Sequence, residues 1–142
     1  MPVNLSRGAS ASTNSIPDNL RLLSADGSCL RNPGGAIGWA VVDCDGAFVA
    51  GSGAAAAEDH TNNIAELLAL KAAMELLPIG DCAGCQLESD SQYAINSVTS
   101  WYLPTEARGG KTSAKKLRAN DQLIRATRAA LELRPGLELV RR

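Results

Sequence analysis

The pattern of apolar and polar positions divides the chain at about residue 20. Residues 1–19 are rich in Ser, Asn and Ala with no apolar period, the composition of a disordered tail. Ordered structure is expected over residues 20–142. Residues 20–25 (LRLLSA) read as a strand ending at Asp26. Residues 37–43 and 47–55 read as two more, and the Asp45-Gly46 pair between them signals a two-residue hairpin turn. A helix follows. Thr61, Asn62 and Asn63 can cap it, Ile64, Leu67, Leu68, Met74, Leu76 and Leu77 give it apolar faces, and Pro78 and Gly80 stop it. Lys71 and Glu75 can pair one turn apart on that helix. Residues 86–90 form a short strand, which a crossover through the helix places parallel to the first. Residues 91–101 read as a second helix capped by Asp90 or Ser91, residues 120–133 as another, and residues 137–140 as a last strand. The class is therefore α/β, with a mixed five-stranded sheet of three antiparallel and then parallel strands, flanked by helices. No internal repeat is visible.

Length changes this picture little. A chain of 142 residues can bury one core without staples. It has no apolar run that would span a membrane and no basic-then-apolar leader. Cys29, Cys44, Cys82 and Cys85 are expected to be reduced thiols, and the location to be cytoplasmic.

Charge adds more. The net charge of −1 conceals a split. Up to Glu106 there are twelve acids against four basic residues, and from Ala107 onward ten basic residues against three acids. An acidic half that can bind cations precedes a basic arm suited to an anionic partner.

Three acids carry the candidate chemistry. Asp26 closes the first strand, Glu66 opens the first helix and Asp90 closes the strand after it. The crossover puts the two strand ends side by side, so the three carboxylates can meet at one edge of the sheet, where crowding favours cation binding. Clustered carboxylates of this kind can hold two Mg²⁺ ions about 3.5–4 Å apart for phosphodiester hydrolysis.

The strings around these acids are Ala25-Asp26-Gly27-Ser28-Cys29-Leu30-Arg31-Asn32-Pro33-Gly34, Thr61-Asn62-Asn63-Ile64-Ala65-Glu66-Leu67 and Glu88-Ser89-Asp90-Ser91-Gln92-Tyr93. In this order they resemble type 1 ribonuclease H, which cuts the RNA strand of RNA–DNA hybrids. The resemblance runs from about Leu20 to the end of the chain and implies the ribonuclease H fold, with Mg²⁺ (or Mn²⁺) as cofactor. It makes Asp26, Glu66 and Asp90 the first three of the family's four catalytic metal ligands. It also implies nucleic-acid contacts for Asn32, Asn62, Asn63 and Gln92, for the backbone around Ser28 and Cys29, and for Asn120. Arg31 departs from the family, where small residues such as Gly are common at that point. The string Gly110-Lys111-Thr112-Ser113-Ala114-Lys115-Lys116 resembles the family's basic protrusion, so Lys111, Lys115 and Lys116, with Arg108 and Arg118, are expected to grip the DNA backbone close behind Trp101 and Tyr102.

The chain stops before the loop and helix in which the family keeps its fourth acid, and Asp121, Glu132 and Glu138 do not match it. The expectation is a short ribonuclease H-like domain with apolar sheet surface exposed, either a fragment or natural truncation, or one completed by a second copy or another chain. Two alternatives are a catalytically silent hybrid-binding module and a nuclease of the same fold acting on DNA, against which the Asn pair and the basic arm argue. Cys82-Ala83-Gly84-Cys85 has zinc-ligand spacing without a second pair, and His60 reads as a surface loop residue.

Overall fold

The computed structural model describes residues 16–112 and 114–142. Strands β1 (Leu22–Cys29), β2 (Ile37–Val42) and β3 (Phe48–Ala54) come first, then helix α1 (Asn62–Glu75) and strand β4 (Gln86–Ser89). Helices α2 (Gln92–Val98), α3 (Tyr102–Ala107) and α4 (Asp121–Glu132) lead to strand β5 (Glu138–Arg141). The sheet runs β3-β2-β1-β4-β5. The β1–β2 and β2–β3 pairs are antiparallel, while β1–β4 and β4–β5 are parallel, as the crossover rule requires.

Alternation decides which face of the sheet is covered. Leu23 and Ala25 on β1, Val41 on β2 and Leu87 on β4 are buried in one core cluster with Leu67, Leu70, Ala73 and Met74 of α1. Ile124 and Ala130 of α4 join it, so α1 lies in the middle of the fold. Thr61 caps α1 by accepting from the Ile64 N–H at 3.2 Å, and Lys71 pairs with Glu75 at 3.0 Å.

Several boundaries move. The expected tail ends earlier than Asn19: residues 1–15 lie outside the described residues, but Ile16 is buried in the core and Asp18–Leu20 form one 3₁₀ turn. The Asn19 amide donates to Asp43 at 3.0 Å, tying this segment to the hairpin. That hairpin has a three-residue turn rather than two. The Asp43 N–H reaches the Ala47 carbonyl at 2.9 Å, and Gly46 takes the left-handed conformation (φ 79°) that a type I turn with a bulge needs. The helix expected over residues 91–101 ends at Val98, and a separate short helix, α3, begins only at Tyr102. Thr99 leaves helical geometry (ψ −96°) while its hydroxyl bonds back to the Ile95 carbonyl at 2.6 Å. Pro104 sits in the first turn of α3, where a missing N–H costs nothing.

Strand β1 does not end at Asp26. Its parallel pairing with β4 stops at Ala25, opposite Ser89, but its antiparallel ladder with β2 continues to Cys29. Asp26 is therefore mid-strand, at the point where one flank of β1 opens. Among the described residues, no helix is long and apolar enough to cross a membrane.

Candidate metal centre and nucleic-acid face

The open flank of β1 makes the site. Asp26 and Asp90 each lie one residue beyond the paired positions Ala25 and Ser89, so the end of β4 brings them to the same level of the sheet. Ser91, not Asp90, caps α2, accepting from the Ala94 N–H at 3.1 Å. Asp90 is thereby left exposed beside Asp26. The third acid arrives from α1. A Cβ on Gly27 would collide with the Ala65 carbonyl, so only glycine lets β1 pass this close to the helix. With that approach, the Gly27 N–H donates to Glu66 Oε1 at 2.6 Å.

Carboxylate oxygens of Asp26, Glu66 and Asp90 all lie within 4.8 Å of one another. The donor set is three hard oxygen ligands on a partly open edge, which suits a divalent cation of the Mg²⁺ or Mn²⁺ type. Glu66 shows the cost of the arrangement without a cation. Its pKa is pushed up to about 7, first by burial, then by its hydrogen bond with Asp90 and the charges of Asp90 and Asp26, against the opposing Gly27 N–H. A cation at this point would relieve that repulsion.

The other expected contact residues separate into two groups. Asn62 Oδ1 accepts from the Cys29 N–H at 2.7 Å, and Asn32 Oδ1 accepts from the Asn62 N–H at 3.0 Å. These bonds clamp the loop after β1 to the start of α1. The Cys29 amide is thus committed within the protein and its side chain is buried, which takes Cys29 off the contact surface expected for it. Ser28, Asn32, Asn62 and Asn63 are exposed on this face. Arg31, exposed in the same loop, has φ 53°, a conformation that favours glycine, which accounts for the small residues common there in the resembled family. His60 closes the loop from below: its backbone carbonyl accepts from the Gly34 N–H, and its Nδ1 lies 3.2 Å from the Gly35 carbonyl.

Past Asp90, exposed Gln92 bonds to Asn96 at 2.7 Å, and Asn120 donates to the Tyr93 hydroxyl at 3.1 Å. Asn120 holds α4 against α2 from a left-handed N-cap position (φ 61°). The described residues between 108 and 118 fold back on themselves, with a bridge between Lys111 and Leu117 and a Thr112 N–H to Lys116 carbonyl bond of 2.8 Å. Lys111, Lys115 and Lys116 are exposed among them. Arg118 is not. Its side chain is only 8% exposed and pairs with Glu106 at 2.9 Å and Asp121 at 2.7 Å, so it belongs to the scaffold rather than to the basic grip.

Sequence reasoning missed a cleft of about 570 Å³ between this hairpin and α2, lined by Tyr93, Trp101, Thr105, Arg108 and Thr112 among others. The Tyr93 and Trp101 rings meet edge to face at 6.3 Å in its wall. The proximity of Trp101 to the basic run was the available signal. Cys82 and Cys85 are buried free thiols that pack into the core. Asp121 uses both carboxylate oxygens on Arg118 and Arg125.

A five-stranded mixed sheet with three carboxylates gathered where its central strand loses a neighbour is an α/β fold with a candidate divalent-metal site at one edge. The particular family is RNase H: its family model matches residues 19–135, and the chain belongs to it. A ribonuclease H of Nitratidesulfovibrio vulgaris (strain DSM 19637 / Miyazaki F) is 41% identical over 110 residues, 76% of this chain and 67% of that protein. One from Aromatoleum aromaticum is 39% identical over 105 residues, 71% of this chain and 63% of that protein. A third, from Methylorubrum extorquens, matches over 49% of its own length, so the chain spans about half to two thirds of these curated relatives. The same fold occurs in a foamy viral protease-reverse transcriptase solved with dsDNA, with TM-score 0.63 and 19% identity over 88% of this chain and 84% of that one.

Proposed function

We propose that this chain hydrolyses the RNA strand of RNA–DNA hybrids at Asp26, Glu66 and Asp90, with Mg²⁺ as the working ion and Mn²⁺ as a substitute. The observation that carries the reading is the convergence of the three carboxylates to within 4.8 Å in a chain of the RNase H family. Two bound divalent ions would supply an activated water, charge stabilisation and a stabilised leaving oxygen. The chain's own residues hold and orient. Glu66 is fixed by the Gly27 N–H, while Asp26 and Asp90 face solvent and can take up ligands without moving the sheet.

Substrate choice rests on the two faces beside the trio. Exposed Ser28, Asn32, Asn62 and Asn63 offer hydroxyl and amide groups of the kind that read 2′-hydroxyls across a minor groove. Gln92 lies two residues past Asp90, Asn120 is bonded to Tyr93, and the cleft lined by Tyr93 and Trp101 is also lined by Arg108 and Thr112 of the hairpin that carries Lys111, Lys115 and Lys116. Those lysines would neutralise phosphates of the DNA strand without reading sequence. We include in this reading a second copy or another chain beside the site, and specific activity that climbs with chain concentration would mark the copy. The four free thiols are compatible with a cytoplasmic location, which we include in the proposal.

The test is an internally labelled hybrid offered beside duplex DNA and duplex RNA of the same sequence, in Mg²⁺ and in Mn²⁺. The expected result is internal cutting of the RNA strand of the hybrid alone. Cutting of duplex DNA at a comparable rate would move the assignment to a DNA nuclease. Hybrid binding with no cutting in either ion would leave a silent binding module.

A further inference from the structure

The backbone of the basic hairpin is tied to α3 at its entry. The Arg108 and Gly110 N–H groups bond to the Thr105 carbonyl at 3.0 Å and 2.9 Å and the Gly109 N–H to the Glu106 carbonyl at 2.9 Å, while the Thr112, Lys115 and Arg118 N–H groups bond within the hairpin. What stands at its base is a closed ring of four charged side chains from three separate pieces of chain. Glu106 on α3 accepts from Arg118 at 2.9 Å with one oxygen and from Arg125 at 2.7 Å with the other. Asp121 at the start of α4 accepts from the same two arginines, at 2.7 Å and 2.9 Å. Every acid uses both oxygens and each arginine serves both acids. Arg118 ends the hairpin, and its guanidinium also lies 4.9 Å from the Tyr102 ring centre, with Arg128 at 4.8 Å from the same centre. A Cβ on buried Gly110 would come within 3.1 Å of an Arg125 nitrogen, so the ring packs directly against the hairpin's entry.

We propose that the Glu106–Arg118–Asp121–Arg125 ring is a positioning device that fixes the basic hairpin against α3 and α4, and so sets where Lys111, Lys115 and Lys116 hold a duplex relative to the carboxylate trio. The use of that placement rests on the hybrid-cutting reading above; the placement itself does not. Isolated surface ion pairs contribute little, but a closed ring around a nearly buried guanidinium is different, because losing one acid leaves Arg118 without half of its compensation. The ring also adjoins Asn120, whose bond to Tyr93 reaches α2 three residues past Asp90. The hairpin and the trio are thus referred to one frame.

The experiment uses the full chain with Glu106→Gln and, as a milder second variant at a 43%-exposed position, Arg125→Gln. Amide hydrogen exchange needs no substrate. The Thr112 and Arg118 amides should lose about tenfold or more of their protection in both variants, while amides of α1 and β4 keep theirs. In hybrid cleavage, KM should rise about fivefold or more, with a shallower salt dependence and kcat within about twofold, because phosphate grip is lost and the metal site is not. Hairpin amides as protected as in the unaltered chain, in both variants, overturn the proposal. So does a loss confined to kcat. If the unaltered chain neither binds nor cuts a hybrid, the hybrid-cutting reading falls and the exchange result alone decides the ring.

Discussion

At Gly27 the backbone of β1 runs against the Ala65–Glu66 backbone of α1, and this contact sets how far Glu66 reaches toward Asp26. Gly27→Ala should therefore destabilise the fold by about 1–3 kcal/mol, as overpacking does. It should also weaken Mn²⁺ binding, read by calorimetry; unchanged affinity would separate the close approach from the site. Glu66 gives a second prediction. Its folded pKa of about 7 stands above the ordinary carboxylate value, so its contribution to stability is fully present below the unfolded value and is lost as pH rises through about 7. The melting temperature of the metal-free chain should fall between about pH 5 and 8, and Glu66→Gln should flatten that fall. Excess Mg²⁺ should flatten it too, and a fall that persists in Glu66→Gln would assign the effect to another group. The three acids were legible because each sits in a local string that resembles one family. The fate of Cys29 and Arg118 was not. Whether the Cys29 amide is already bonded to Asn62, or the Arg118 guanidinium already held by Glu106, depends on residues 33 and 12 positions away that local pattern does not place.

Among the elements, the hairpin of residues 108–118 separates two kinds of basic residue that composition alone merges. Arg118, Arg125 and Arg128 are in ion pairs, and buried Arg134 donates to the Leu77 and Ala130 carbonyls at the ends of α1 and α4. The exposed lysines remain for the partner. Replacing Lys111, Lys115 and Lys116 together with Ala should lower hybrid affinity and reduce the slope of log affinity against log salt by up to about three charges' worth. An unchanged slope would remove the hairpin from the interface. Strand order, the hairpin between β2 and β3 and the parallel crossover followed from alternation and turn residues. The break between α2 and α3 did not, because residues 91–101 keep a helical pattern through Thr99, whose hydroxyl competes for the Ile95 carbonyl only in the folded chain. Ile16 was hidden by its polar neighbours: one apolar residue gives no period, yet it fills a place in the core.

Over the whole molecule, the sheet provides one chemical opportunity, the position where β4 ends and β1 continues. Asp26 and Asp90 meet there because parallel register puts Ala25 beside Ser89, and α1 crosses the same edge to deliver Glu66. The asparagine loop follows β1 just past Asp26, and the aromatic cleft is lined by Tyr93 of α2, which starts just past Asp90, and by Arg108 and Thr112 of the lysine hairpin. The most direct measurement is the single-turnover rate of RNA-strand cleavage in a uniform RNA–DNA hybrid, for the unaltered chain and for Asp90→Asn, in saturating Mn²⁺, with hybrid affinity measured alongside. The account predicts a loss of at least about a hundredfold in rate with affinity within about twofold, since the substitution removes a metal ligand and leaves the grip. Cleavage by Asp90→Asn at a rate near that of the unaltered chain would contradict it.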